Sequence, residues 1–284
     1  MKTIPVIRSI SSLRTQVSEW KKKGHIVGLV PTMGALHHGH LSLVDAISNK
    51  ADKIIVSIFI NPTQFGVGED LDAYPKQETA DCKKLSETKA SLVFAPPTDE
   101  MYPIGHTSRI TLSGIADILE GAERPGHFDG VATIVTKLLL QSQADVAIFG
   151  EKDYQQLAVI RQFVRDLDIP VDIVAGKLIR EFDGLAASSR NLYLTEIERK
   201  IAGKFNVVLK NLIAEVLKGV DLRTSEKNAI KALLEAGFKS VDYVTVADGK
   251  TLQPLGTLQK NARVLAVARI GTVRLLDNMA IEAP

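Results

Sequence analysis

Two histidines three residues apart, His37 and His40, stand in the stretch Pro31-Thr32-Met33-Gly34-Ala35-Leu36-His37-His38-Gly39-His40. Residues 25–30 before it are an apolar run that reads as a buried strand. Residues 41–49 after it carry apolar side chains at helical spacing. The histidines therefore fall where a helix begins. Backbone N–H groups there are unpaired and carry partial positive charge, which suits phosphate. Side chains at i and i+3 share a face, so both rings could donate to one anion. Taken alone, the spacing fits donors to the phosphates of a nucleotide such as ATP, two ligands of a zinc ion, or surface residues. Zinc wants a third or fourth ligand, and the single cysteine, Cys82, lies in a lysine-flanked polar segment. The strand–turn–helix setting favours phosphate.

Other segments carry chemistry at similar places. Asn61 and Gln64 follow an apolar run; amides both donate and accept, so they could hold a hydroxyl or carboxylate without adding charge. Asn61-Pro62 read by itself is better taken as a simple turn. In Phe149-Gly150-Glu151-Lys152-Asp153-Tyr154-Gln155-Gln156, Lys152 could face a phosphate, Asp153 could cap a helix, and Gln156 lies on its first turn; read alone, the segment fits a charged surface turn as well. Ala187-Ser188-Ser189-Arg190-Asn191 offers two hydroxyls and a guanidinium suited to a triphosphate, or a hydrophilic interdomain loop. Residues 120–130 combine turn chemistry with Arg124 and His127 and are glycine-rich enough for a mobile lid. The run Lys21-Lys22-Lys23 reads as a solvated helix end.

The elements that would position these groups alternate. Strand-like runs cover residues 25–30, 53–60, 91–95, 145–150 and 171–175, with helical patterns at 41–49, 78–88, 131–141 and 155–166. Short apolar strands alternating with amphipathic helices imply an α/β fold, a doubly wound parallel sheet covered on both faces. In such sheets ligands bind beyond the carboxyl ends of the strands, where the three candidate segments after 30, 60 and 150 fall. The pattern changes after Gly176: a polar stretch, a charged helix over 195–217 opened by a Thr195/Glu198 capping box, a helix over 225–236, and strands at 241–247, 264–270 and 272–276. These predict a Rossmann-like domain over 1–176 and a smaller α+β domain over 177–284.

Composition narrows the class. The chain has 284 residues, 45% hydrophobic and 24% charged, as globular domains do. Thirty-five basic against 33 acidic residues leave a net charge of +2, which gives no electrostatic case for nucleic acid or anionic membrane. No apolar run has the length of a membrane span, and the Met1-Lys2-Thr3-Ile4-Pro5 opening lacks a signal-peptide core. One cysteine makes no internal disulfide, which fits a reducing compartment. The expectation is a cytoplasmic protein.

Taken together, the segments resemble the pantothenate synthetase (pantoate–β-alanine ligase) family. The carriers are Pro-Thr-Met-Gly-Ala-Leu-His-x-Gly-His at 31–40, Phe-Ile-Asn-Pro-x-Gln-Phe at 59–65 and Tyr-Pro at 74–75. They continue with Glu-Gly-Ala-x-Arg-Pro-Gly-His-Phe at 120–128, Phe-Gly-Glu-Lys-Asp-Tyr-Gln-Gln at 149–156 and Ser-Ser-Arg-Asn at 188–191. The His-x-Gly-His element alone is shared with nucleotidyl-transferring enzymes at large. The resemblance implies a Rossmann-like domain with a smaller domain closing over the site, a homodimer, and a two-step reaction through pantoyl adenylate that uses ATP and Mg²⁺. It implies that His40, His37 and Lys152 are catalytic. ATP would meet Met33, Gly34, Ala35, Leu36, His37, His38, Gly39, His40, Gly150, Glu151, Lys152, Asp153, Ile179, Ala187, Ser188, Ser189 and Arg190. Gln64 and Gln156 would hold pantoate, Gln64 also β-alanine, with Asn61, Arg124 and His127 as weaker members. Ala187 stands where relatives often carry a larger apolar residue. Asp81 is a candidate Mg²⁺ ligand. Two rival classes share the histidine pair: a transferase joining a nucleotide to a phosphorylated acceptor, and a non-catalytic nucleotide sensor. The first needs a second basic pocket where Asn61 and Gln64 stand; the second leaves Lys152 and Arg190 unexplained.

Overall fold

Runs of Val, Ile and Leu bounded by Gly, Asp and Pro become strands because branched side chains pack well on a pleated surface. In the computed structural model, which describes residues 3–66 and 68–282, six such runs form one parallel sheet. Met1 and Lys2 of the opening stretch lie outside the described residues. The strands are β1 (Val6–Ile7), β2 (Val27–Thr32), β3 (Lys53–Ile58), β4 (Leu92–Phe94), β5 (Val146–Gly150) and β6 (Asp172–Gly176), in the order β1-β4-β3-β2-β5-β6. The helices of this half are α1 (Ile10–Lys22), α2 (His38–Ile47), α3 (Glu78–Ser86), α4 (Thr98–Met101), α5 (Glu120–Glu123), α6 (His127–Ser142) and α7 (Tyr154–Asp166).

Period-two alternation in the strands buries two faces at once. Val27, Leu29, Ile55, Phe94, Ala147 and Phe149 face a core shared with Leu13 and Val17 of α1 and Val131 and Leu138 of α6. Val30, Ile54, Val56, Val93 and Ile148 face the other core with Leu43, Val44 and Ile47 of α2 and Leu85 of α3. Each such side chain contributes roughly 1.5–3 kcal/mol of burial. The doubly wound parallel sheet expected from the sequence is the observed one. Its strand order reverses at β2, which pairs with β3 on one side and β5 on the other. Such a switch point opens a crevice at the carboxyl ends of the strands.

After β6 come α8 (Glu196–Ala202), α9 (Phe205–Leu217), α10 (Leu222–Ala236) and the antiparallel sheet β7 (Ser240–Asp248), β8 (Ala262–Ile270), β9 (Val273–Ala280). The expected single helix over 195–217 is two, broken at Gly203 and Lys204, while the Thr195/Glu198 capping box forms as expected. Phe205, Leu209, Leu212 and Leu233 pack with Val246, Val264 and Ala266 as a separate core. The chain forms two compact units. One holds the residues up to Glu151 with Gln156–Lys177; the other holds Lys152–Gln155 with Leu178 onward. Among the described residues no helix is long and apolar enough to cross a membrane.

Candidate active site

In the first unit the stretch 31–40 leaves β2 through two left-handed residues, Gly34 (φ +86) and Ala35 (φ +50). A Cβ on Gly34 would also lie 3.2 Å from Ile58 and 3.3 Å from the Asp81 carboxylate. This bend turns the N–H groups of Ala35 and Leu36 inward, and both donate to Asp81, each at 2.8 Å. Asp81 is fully buried. Burial pushes its pKa up, while these two N–H groups and the charge of Lys84 pull the other way. Lys84 also donates from Nζ to the Leu36 carbonyl at 2.5 Å. The anion-binding concavity of this turn is thus filled by an internal carboxylate. The backbone donors of Ala35 and Leu36, two residues expected to line the ATP site, are engaged by Asp81, the residue considered for Mg²⁺, which thereby holds the turn.

What the bend aims is the start of α2. His37 is the N-cap: its Nδ1 accepts from the Gly39 N–H at 3.2 Å, and His40 Nδ1 accepts from the His37 N–H at 3.4 Å. The two rings lie 4.1 Å apart between centroids. A neutral imidazole whose Nδ1 accepts carries its proton on Nε2. The cap therefore presents both histidines as Nε2–H donors at the positive end of a helix. His38 is the first helical residue, and its ring meets that of His37 edge-on.

The β3 exit lies against this turn. Gln64 ends a short 3₁₀ turn, Pro62–Gln64, and its Nε2 contacts Met33 Sδ at 2.9 Å. Asn61 is buried and its bonding is internal. Its Oδ1 accepts from Tyr102 Oη and the Thr63 hydroxyl, and its Nδ2 donates to Gln64 Oε1 and the Gly130 carbonyl. Gly130 admits this approach because a Cβ there would lie 2.2 Å from the Thr63 carbonyl oxygen. Asn61 therefore positions Gln64.

In residues 120–130, considered as a mobile lid, α5 and the first turn of α6 flank a bend at 124–126, and Arg124 and His127 are bonded to their neighbours. Arg124 makes a bidentate pair with Glu69, both bonds 2.6 Å, and its Nη1 lies 3.1 Å from His127 Nε2. His127 Nδ1 donates to the Gln64 carbonyl at 2.7 Å. Burial first, then the Arg124 charge, lowers the His127 pKa to about 4. The ring is neutral with its proton on Nδ1, as its two neighbours require. Burial opposes ionisation of Glu69, but the bonds and charge of Arg124 outweigh it and take its pKa down to about 2. Arg124 and His127 thus brace Gln64 from behind. Gly150 ends β5, Glu151 follows it, and Gln156 stands half-buried on the first turn of α7.

The remaining candidates lie in the second unit. Lys152 Nζ pairs with Asp153 at 3.2 Å. The Ile179 carbonyl accepts from the Ala187 N–H at 2.9 Å, closing a small loop in which Ala187 is buried. Ser188 caps the 3₁₀ turn Ser189–Tyr193 by accepting from the Arg190 N–H at 3.3 Å; Ser189 is buried and Arg190 half-buried. Sequence reasoning does not reach Asp81, Glu69, Tyr102 and Gly130 as site supports. Each acts on residues between 41 and 69 positions away, a separation that leaves no local pattern.

Residues 5–280 match the sequence model described as Pantoate-beta-alanine ligase. Pantothenate synthetase of Paramagnetospirillum magneticum is 51% identical over 279 residues, covering 98% of each chain. The pantothenate synthetase structure from Thermus thermophilus superposes with a TM-score of 0.92 at 39% identity, covering 98% of this chain and 100% of that one. The pantoate-beta-alanine ligase of Francisella tularensis, solved in complex with beta-gamma ATP and beta-alanine, gives 0.84 at 34% identity over 99% of both. With its histidine-capped helix at the sheet's switch point and this likeness over nearly its whole length, the chain belongs to the pantoate–β-alanine ligase family.

Proposed function

We propose that the protein condenses pantoate with β-alanine at the expense of ATP, giving pantothenate, AMP and pyrophosphate through pantoyl adenylate. The observation that carries this is the His37/His40 cap, set where β2 meets β5 and with Gln64 against Met33, in a member of this family. A carboxylate is a poor acyl donor, so it is first activated. A pantoate carboxylate oxygen bonds to the α-phosphorus as the bond from that phosphorus to the bridging oxygen breaks, and pyrophosphate leaves. The β-alanine nitrogen then bonds to the acyl carbon, AMP leaves with the ester oxygen, and the nitrogen gives up a proton.

His40 and His37, as Nε2–H donors, meet the negative charge that develops on the phosphates, where a fixed donor acts most strongly. Lys152 is the phosphate cation, with Gly150, Glu151, Asp153, Ile179, Ala187, Ser188, Ser189 and Arg190 as further nucleotide contacts. Gln64 and Gln156 hold pantoate, and Gln64 also borders β-alanine. Mg²⁺ would neutralise phosphate charge. Among the described residues no group of three His, Cys, Asp or Glu side chains could hold a metal, so the ion would arrive on the triphosphate, as Mg²⁺ commonly does. We also infer a homodimer working in the cytoplasm, to be checked by light scattering and cell fractionation.

The experiment is isotope exchange between ATP and labelled pyrophosphate. Exchange should require pantoate and Mg²⁺ but not β-alanine. Exchange indifferent to pantoate, or none despite bound ATP, would overturn the reading in favour of a nucleotidyltransferase or a sensor.

A further inference from the structure

Lys152 follows β5 in sequence, but its backbone is gripped from the far end of the chain. Asn278 on β9 donates from Nδ2 to the Lys152 carbonyl at 2.9 Å. Asn278 Oδ1 accepts from Arg263 Nη1 on β8. The Arg263 guanidinium also lies over the Tyr154 ring, 3.8 Å from its centroid, and Tyr154 Oη donates to the Gly249 carbonyl at 2.8 Å. Residues 152 and 154 are therefore held at separate points, and all of these groups belong to one unit. Beside them the buried Asp277 takes two bonds from Arg180, at 2.7 and 2.8 Å, and its Oδ1 accepts the Asn278 N–H at 2.7 Å. Asn278 is 4% exposed. With a guanidinium on its oxygen and a carbonyl on its nitrogen, its amide has one satisfactory orientation; turned over, donor would face donor.

We propose that Asn278 is a positioning residue for Lys152, fixing the backbone from which the ammonium reaches the nucleotide phosphates. The inference rests on the phosphate role of Lys152 given above. A point charge acts through its distance to the phosphate, so a backbone that shifts weakens it even when the side chain is intact. Arg263 anchors Asn278, and the Arg180–Asp277 pair fixes the strand that carries it.

The test is Asn278→Asp, which keeps an acceptor for Arg263 and removes the donor to the Lys152 carbonyl. The single-turnover rate of adenylate formation should fall about tenfold as the ammonium loses its placement, and the urea midpoint should also fall, because the Lys152 carbonyl loses its donor. In a Lys152→Ala background the same substitution should change the rate by less than about twofold, because coupled residues do not add. Equal losses in both backgrounds would make Asn278 a general structural residue and overturn the proposal. So would full activity in Asn278→Asp alongside an impaired Lys152→Ala. Full activity in Lys152→Ala would instead refute the phosphate role of Lys152. If Asn278→Asp does not fold, Arg263→Met removes the anchor while keeping an apolar stem on Tyr154. It should give a smaller loss that again vanishes without Lys152, and a loss independent of Lys152 would be fatal.

Discussion

Replacing Asp81 with asparagine would show whether the histidine helix depends on an internal anion. The carboxylate takes the Ala35 and Leu36 N–H groups at 2.8 Å each, with no exposed surface of its own. A hydrogen bond to a charged group contributes roughly 1.5–3 kcal/mol. Asparagine keeps one bond as a neutral contact of about 1 kcal/mol and turns its NH₂ toward the other N–H, leaving a buried donor unsatisfied at a cost of about 1–3 kcal/mol. An amide is easier to bury than the carboxylate, whose pKa burial already pushes up, so part of this is recovered. The net loss is about 2–4 kcal/mol. Ala35 sits in the left-handed region, where a non-glycine residue is strained by about 1–2 kcal/mol. The loss should therefore appear as local relaxation of the bend that aims His37 and His40. About 3 kcal/mol of misplacement corresponds to more than a hundredfold in rate. Single-turnover adenylate formation should fall by about that factor, with a lower urea midpoint. A variant with both the rate and the midpoint unchanged would refute the role of Asp81 as keystone of the turn.

His40→Ala should lower single-turnover adenylation by about 10²–10³, as for loss of one donor to developing charge, while ATP affinity falls far less; a near-normal rate would remove His40 from the chemistry. Gln156→Ala should raise the KM for pantoate well above any change for ATP or β-alanine, because a polar pocket loses discrimination when one partner is gone, and equal rises for all three would point to damaged folding. Acid should loosen the brace behind Gln64. The His127 pKa is lowered from 6.5 to about 4, so its stabilisation is complete above about 6.5 and is lost as pH falls toward 4; that of Glu69, lowered from 4.5 to about 2, is present above about 4.5 and lost below it. Urea midpoints should drop between pH 6.5 and 4 more steeply for the unaltered protein than for His127→Asn, whose amide does not titrate; parallel curves would contradict this.

Local pattern carries a large part of the architecture. Strands 53–58, 146–150 and 172–176 and the helices at 38–47 and 154–166 are legible because apolar residues repeat with the period of the element that buries them, and the Thr195/Glu198 cap forms from residues three apart. The histidine spacing, read at a strand-to-helix turn, falls at the helix cap beside the sheet's switch point. Boundaries are less legible: β2 is expected at 25–30 and runs Val27–Thr32, because pairing with β3 carries Pro31 and Thr32 opposite Ser57 and Ile58. The pattern reading gives no span for α1, although Ser9 caps it and Leu13 and Val17 bury its face; the lysine run 21–23 is its exposed end, as expected, with Lys21 pairing with Asp145 at 2.7 Å. What only the tertiary structure decided is which polar groups are bound to one another inside the protein. Asp81 could as well have held a metal, Arg124 and His127 could have capped a mobile lid, and Asn278 lies 126 residues from the carbonyl it holds. A buried donor must find an acceptor wherever the fold brings one, and that partner is set by the packing of layers, not by spacing along the chain.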